Sequence, residues 1–449
     1  MVAMQATYYP IKQKLLLLLT LAGWLWVSSA AALARPERTV VGYSAVWRDA
    51  ASPPECYNFD AVTYIARAFL IPRPDGSIEV PPGYFSGSLK NLAKAHGVQL
   101  LLSIGGEQQN ADNWLSIARH DGYFNRFCDQ LQNLLQREQF DGIDIDWEPS
   151  ATTTPDGQAF MSFMTRLRGR FANKVITAAL GASEYWIGHF YWKVVAASVD
   201  YVNVMTYDYS GGWGGRADYA SNLFPAGAYP AQPTLSVAEG MANLIENHKV
   251  PPSKLLLGIT FWPSRFRVNH IGEKFPVNGR GYSMNITFAD AMCLLHGGSY
   301  RDFWDKAAAM PYMERTGGGS VVVYESPRSV GRKCEYADSL KCAGVMIWHL
   351  GADLDGDRTP LMDAIADSVG VARTKISADL QRDQITRRQE DVRALARQTG
   401  FVLPTGDLAL EPAGQIPAAD FSDVAHRLCG LWARLQDDLW SRDLNAAGK

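Results

Sequence analysis

The chain has 449 residues, of which 47% are hydrophobic and 20% charged, ample for one large core plus accessory segments and far from the composition of a disordered chain. Its formal net charge of -3 argues against nucleic acid as a partner, since that binding needs clustered lysine and arginine.

Lys12 and Lys14 precede an apolar run over residues 15–27, and small residues follow it to the ending Ala32-Leu33-Ala34. This layout predicts an export signal peptide over 1–34, cut after Ala34. The run is short for a membrane span, so a secreted protein, periplasmic or extracellular, without stable membrane insertion is expected. Six cysteines follow, none in C-x-x-C spacing. An exported compartment allows disulfides, and the spacing leaves their pairing open. Cys128 falls on the apolar stripe of a helix and reads as a buried thiol.

Residues 39–43 and 62–70 read as the first two strands, and 88–96, closed by Gly97, as a short helix. The third strand, 98–106, is almost continuously apolar, as a strand buried on both faces is, and runs into Gly105-Gly106. From 111 to 137, Trp114, Ile117, Phe124, Phe127, Leu131 and Leu135 keep mostly helical spacing, with a break near Asp121-Gly122. Then comes Phe140-Asp141-Gly142-Ile143-Asp144-Ile145-Asp146-Trp147-Glu148. Strand side chains alternate between faces, so Asp144, Asp146 and Glu148 share one side while Ile143, Ile145 and Trp147 share the other. A helix marked by Phe160, Phe163, Met164, Leu167 and Phe171 precedes the fifth strand at 175–180. The remaining strands are 201–208, 255–262 and 344–350.

Eight strands alternating with helices predict an α/β fold, a (β/α)8 TIM barrel. The barrel is expected over 35–262 and 328–370, with a small α+β insertion between strands 7 and 8 at 263–327. Residues 371–449 form a helical C-terminal extension: a charged, weakly amphipathic helix over 376–398, a Pro/Gly-rich linker over 403–417, and a stripe of Phe421, Val424, Leu428, Leu431, Leu435 and Leu439 that Asp420 caps. That stripe either packs on the parent domain or offers a dimer or partner surface.

In such barrels the C-terminal strand ends carry the chemistry, which places Glu148 at the mouth, Asp146 below it and Asp144 deeper. Same-face neighbours on a strand lie roughly 6–7 Å apart, so these acids share protons and one of them is available as a general acid. Paired carboxylates suggest glycoside hydrolysis, yet here all rise from one strand and approach from one side. The nucleophile must come from elsewhere. A substrate acetamido group supplies one if Asp146 orients the amide and a hydroxyl such as that of Tyr207 holds its oxygen.

Asp141-Gly142-Ile143-Asp144-Ile145-Asp146-Trp147-Glu148 matches D-x-x-D-x-D-x-E in full, and the chain resembles family 18 glycoside hydrolases, most of all their bacterial chitinases. Ser103-Ile104-Gly105-Gly106 is similar to the family's S-x-G-G strand and Met205-Thr206-Tyr207-Asp208 to its M-x-Y-D strand. Phe303-Trp304-Asp305 with Pro311-Tyr312, and residues 344–348, follow family patterns too. The resemblance implies Glu148 as general acid/base, Asp146 as the residue that orients the N-acetyl group, and Asp144, supported by Ser103 and Tyr43, as manager of the proton. It further implies Tyr207 and Asp208 on the acetamido group, Trp348 under the distorted sugar, and Phe69, Gly106, Met205, Trp213 and Trp262 among the substrate-binding residues. Asp141, of opposite parity, is expected to be structural. The implied partner is chitin or N-acetylglucosamine oligosaccharides, with no cofactor and no metal. Peptidoglycan or N-glycan cores are the alternative substrates, and a chitin-binding lectin the alternative class.

This chain has Pro149 where many relatives have Tyr, and Trp262 where a Tyr often follows the seventh strand. The resemblance implies a cis peptide between Glu148 and Pro149, which proline makes cheap. Trp213 and Trp262 read equally as sugar platforms or core aromatics, and Trp47 is a further aromatic of the first strand's loop. Asp353, Asp355 and Asp357 lack calcium-loop spacing and read as loop and cap residues. Residues 211–215 lack a phosphate loop's Lys-Ser/Thr ending and read as a rim loop.

Overall fold

A computed structural model of the chain describes residues 38–106, 111–148, 153–183, 188–225, 236–275 and 281–447. The leader over 1–34 and the Glu148–Pro149 peptide lie outside the described residues. Along the chain run strands β1 (Thr39–Ala45), β2 (Tyr64–Pro72), β3 (Ile78–Glu79), β4 (Gln99–Gly105), β5 (Gly142–Asp146), β6 (Val175–Gly181), β7 (Tyr201–Met205) and β8 (Leu255–Thr260). They continue as β9 (Ser264–Phe266), β10 (Tyr282–Ser283), β11 (Tyr300–Asp305), β12 (Met310–Arg315), β13 (Val321–Val323) and β14 (Gly344–Trp348).

β1, β2, β4, β5, β6, β7, β8 and β14 pair in parallel, and the pairing of β1 with both β2 and β14 closes them into the expected (β/α)8 barrel. The alternation in β5 sorts its side chains as the sequence requires. Ile143, Ile145 and Trp147 join the core between strands and helices, where Trp147 stacks on Trp114 with ring centres 5.4 Å apart. Inside the barrel, Val41, Tyr43, Ala66, Ala68, Leu101, Ala179, Leu256 and Met346 form a separate packed cluster around the carboxylates' layer.

Helix boundaries follow local chemistry. Ser86 caps the Gly87–His96 helix through the Leu89 N–H, and Gly97 ends it in the left-handed conformation. The segment after β4 holds two helices, Ala111–Arg119 and Asp121–Glu138, so the break falls at His120. Asp141 accepts the Leu100 N–H at 2.9 Å, a structural bond between β5 and its neighbour. Asp353 accepts the N–H groups of Leu361 and Met362, both at 2.8 Å, and so caps the Pro360–Ser368 helix.

Between β8 and β14 the chain builds a five-stranded antiparallel sheet in the order β10-β9-β13-β12-β11, plus the helix Phe288–His296. It has its own core, with Phe266, Val268, Met310, Val321 and Val323 packed on Tyr219 from the loop after β7. Buried Lys333, paired with Glu325 and bonded to Ser221 at 3.1 Å, ties the end of this sheet to that same loop.

The C-terminal helices, Ala378–Thr399 and Phe421–Ala447, pack on each other and on this insertion. A disulfide joins Cys293 to Cys429. Buried Arg265 reaches Asp437 at 3.1 Å, and the Trp440 indole N–H donates to the Gly319 carbonyl at 3.0 Å. The stripe that suggested a partner surface is used inside the chain: Phe421, Val424, Leu428, Leu431 and Leu435 are all buried. Among the described residues no helix is long and apolar enough to cross a membrane.

Candidate active site

Asp144 sits inside the barrel, fully buried, and accepts four hydrogen bonds. Tyr43 Oη (2.9 Å) and Ser103 Oγ (2.7 Å) donate to its Oδ2, while Thr177 Oγ1 (2.6 Å) and Asn203 Nδ2 (3.0 Å) donate to its Oδ1. Asn203 also donates to Tyr43 Oη at 3.0 Å, so five side chains from five strands form one network. Burial raises the Asp144 pKa and these four donors oppose the rise. Three of the donors are hydroxyls, which can turn and accept, so the same surround tolerates Asp144 as an ion or as an acid.

Asp146, one pleat nearer the mouth, has a different environment. Its Oδ1 is buried with no hydrogen-bond partner among the described residues. A side-chain hydrogen bond joins it to Glu148, and burial, the Glu148 charge and the Asp144 charge hold its pKa well above the usual carboxylate range. The two carboxyl groups are thus poised to share a proton, since ionising both would set like charges side by side. Glu148, two residues past Asp146 and partly exposed, stands at the mouth.

The glycines beside this strand are required by close approach. Gly105 has φ 120°, and a Cβ there would lie 1.8 Å from the Asp146 carbonyl oxygen. Gly106 donates its N–H to that same carbonyl at 2.9 Å, and a Cβ on it would strike the Phe69 ring. Ser-x-Gly-Gly thus places a hydroxyl on Asp144 and lets the backbone pass tightly beside Asp146.

Past β7, Tyr207 lies half-buried, its hydroxyl 3.9 Å from Met346 Sδ. Burial, then Asp208, Asp146, Glu148 and Asp144, raise its pKa well above that of a free phenol, so it stays a neutral donor. Met205 packs among the same interior side chains. Asp208 is exposed and left-handed at φ 57°.

Trp348, at the end of β14, forms the centre of an aromatic wall. Phe69 stacks on it at 5.8 Å, Tyr43 meets it edge-on at 5.4 Å, and Trp47, 54% exposed, lies 6.2 Å from it and stacks on Phe69 at 5.9 Å. The peptides Ala68–Phe69 and Trp348–His349 are both cis. Trp262 extends the wall through His349, with Arg48 over its ring at 5.4 Å. Trp213 stands apart on the rim, 60% exposed, with Tyr282 of β10 as its ring partner at 6.5 Å.

An acid pair at the mouth of a barrel, an orphan acceptor beside it and an aromatic wall form a site for a polar, ring-containing substrate. Residues 39–353 match the family model described as Glycosyl hydrolases family 18. The chain belongs to glycosyl hydrolase family 18. This family 18 enzyme is a glycoside hydrolase, and it is 28% identical to "Probable chitinase 2" of Drosophila melanogaster over 380 residues, covering 76% of this chain and 77% of that one. It is 23% identical to "Chitinase B" of Serratia marcescens over 345 residues, covering 60% and 68%. Among solved structures, an immunomodulatory active chitinase from Trichuris suis aligns over 74% of this chain and 100% of its own at 18% identity, with a TM-score of 0.68. The Ostrinia furnacalis Group IV chitinase in complex with allosamidin aligns over 75% and 100% at 23% identity, with a TM-score of 0.65.

Two residues of the network, Thr177 and Asn203, were not singled out by sequence reasoning. Each is a polar side chain of inward parity in an otherwise apolar barrel strand, and that was the available signal. Trp47 joins the wall more closely than Trp213 does.

Proposed function

We propose that this glycoside hydrolase is an exported chitinase that cleaves β-1,4 links between N-acetylglucosamine units with retention, using the substrate's own acetamido oxygen as nucleophile. The observation that carries this reading is the buried Oδ1 of Asp146 beside Glu148, which has no partner among the described residues. A buried acceptor without a donor costs about 1–3 kcal/mol, and the N–H of an acetamido group supplies the missing partner. The names of the relatives and the leader read from the sequence support the substrate and the export.

In this mechanism Trp348, Phe69 and Trp47 hold the sugar by its faces, Tyr43 supports Trp348 from below, and Tyr207 donates to the acetamido carbonyl. Glu148 gives its proton to the glycosidic oxygen as the C1–O bond breaks, and the acetamido oxygen bonds to C1 from the opposite face. Asp146 accepts the acetamido N–H and stabilises the positive charge of the resulting oxazolinium, while Asp144 takes up or returns the proton the pair releases. Water then attacks C1, giving its proton to Glu148, and the ring opens with net retention. Asp208, Ser103, Gly106, Met205, Trp262 and Trp213 shape the surround, Trp213 from the rim.

The test is chitotetraose hydrolysis with the product anomer followed by NMR, in parallel with peptidoglycan and N-glycan substrates. Initial release of the β-anomer from chitotetraose is the expected result. Activity confined to peptidoglycan or N-glycans, or initial α-anomer, overturns the proposal.

A further inference from the structure

A cavity of about 720 Å³ lies beside the aromatic wall, bounded by the barrel rim, the insertion and both C-terminal helices. That volume falls within the range of about 300–1,000 Å³ typical of small-molecule sites. Two residues of its lining adjoin the wall. Arg48, next in sequence to Trp47, covers Trp262 and also lines the cavity. Gly351, three residues beyond Trp348, forms another part of the lining. Two of the walls, the helices Ala378–Thr399 and Phe421–Ala447, lie beyond residue 353, where the family match ends.

The chemistry of the lining selects a class of ligand. Its charges are of both signs, and two pairs form among them: Arg388 with Asp290 at 2.6 Å and Arg358 with Asp355 at 3.6 Å. Gln384 exchanges two hydrogen bonds with the backbone of Gly356, at 3.0 and 2.8 Å, which fixes the first tail helix to the loop after β14. A lining of both signs suits a neutral, hydroxyl-rich ligand better than a polyanion, which Asp355, Asp357, Glu390 and Asp391 would repel. Arg48 lines the cavity with no side-chain ion pair among the described residues, so its guanidinium group can donate to a hydroxyl or carbonyl oxygen of a sugar there.

We propose that the tail helices, the insertion and Arg48 form an additional subsite for the distal N-acetylglucosamine units of a longer chain, continuous with the aromatic wall past Trp47. The inference rests on the chitinase reading and adds chain-length preference to it. The tail is then part of the substrate-binding surface, held against the insertion by the Cys293–Cys429 disulfide.

The test uses the full chain with the disulfide intact and measures kcat/KM for chitotriose and chitohexaose. Ala425→Trp fills the cavity from the second tail helix, and Arg48→Met keeps the aliphatic stem on Trp262 while removing the donors. Each lowers the hexaose-to-triose ratio of kcat/KM by about tenfold, the equivalent of one good hydrogen-bonded contact. A ratio that stays within about twofold of the wild type in both variants overturns the subsite and leaves the chitinase reading standing. A wild-type protein that cleaves neither oligomer overturns both. Should Ala425→Trp fail to fold, Arg48→Met decides the question.

Discussion

Thr177 donates its hydroxyl to Asp144 Oδ1 at 2.6 Å from the residue position paired directly with Asp144 on the neighbouring strand. Ser103 does the same on the other side, donating to Oδ2 at 2.7 Å from its own paired position. The barrel's register therefore flanks a buried carboxylate with a hydroxyl on each side. Thr177→Val keeps the shape and removes one donor. It should lower stability by about 1–3 kcal/mol in urea unfolding, with kcat reduced and Thr177→Ser restoring both. Unchanged stability and kcat in Thr177→Val would show that the bond contributes nothing.

Glu148→Gln removes the proton donor with little change of volume. Loss of about 10²- to 10⁴-fold in kcat on chitotetraose is expected, with binding retained in calorimetry. A variant close to wild-type activity would remove Glu148 from the chemistry.

Trp348 contacts Phe69, Tyr43 and Trp47 at once. Trp348→Ala should lower kcat/KM by about 10- to 100-fold through loss of the sugar platform and its support, at about 0.5–1.5 kcal/mol per aromatic pair. Trp213→Ala, on the rim, should have the smaller effect. The reverse order would relocate the principal platform to the rim.

His349 is 1% exposed, wedged between Trp262 and Trp348, and donates from Nδ1 to the Leu350 carbonyl. Burial lowers its pKa to about 4, with Arg48 adding to the effect and the Leu350 bond opposing it. The folded state thus binds its proton more weakly than the unfolded chain. His349 contributes stability that is full above its unfolded pKa of about 6.5 and is lost as pH falls toward 4, a change on the order of 3 kcal/mol. Unfolding curves at pH 7 and pH 4 should differ by less in His349→Phe than in the wild type. Equal differences would mean that His349 is not held neutral.

The Cys293–Cys429 disulfide closes a loop across 136 positions of sequence. Replacing Cys293 with Ser should cost about 2–5 kcal/mol, read as a lower unfolding midpoint and earlier proteolysis within the tail. An unaltered midpoint would mean that Arg265–Asp437 and the buried stripe hold the tail without the cross-link.

Much of the barrel was legible because its signal is local. Alternation in Asp144-Ile145-Asp146-Trp147 already separates an acidic face from an apolar one, and only a layer of helices satisfies the second. The barrel network was half legible. Asp144, Ser103 and Tyr43 were singled out from the sequence, whereas Thr177 and Asn203 become meaningful only when the register places them on Asp144. The insertion was harder to resolve, since β9 and β10 have three and two residues, too short for any period to declare itself.

The sequence by itself determined the period of each barrel strand, the face on which its acids lie and the family whose signature those acids spell. Periodicity is a property of adjacent residues, and it survives without knowledge of the fold. Tertiary structure alone decided what surrounds each acid. Among the described residues Asp144 meets four donors and is satisfied, while the Asp146 side chain bonds Glu148 and keeps an orphan oxygen, because strands far apart in sequence bring donors to one layer and not to the next. It also decided where the tail goes. Arg265 and Asp437 stand 172 positions apart, and Cys293 and Cys429 stand 136 apart. Such pairs form only when packing has already brought their helices and strands together.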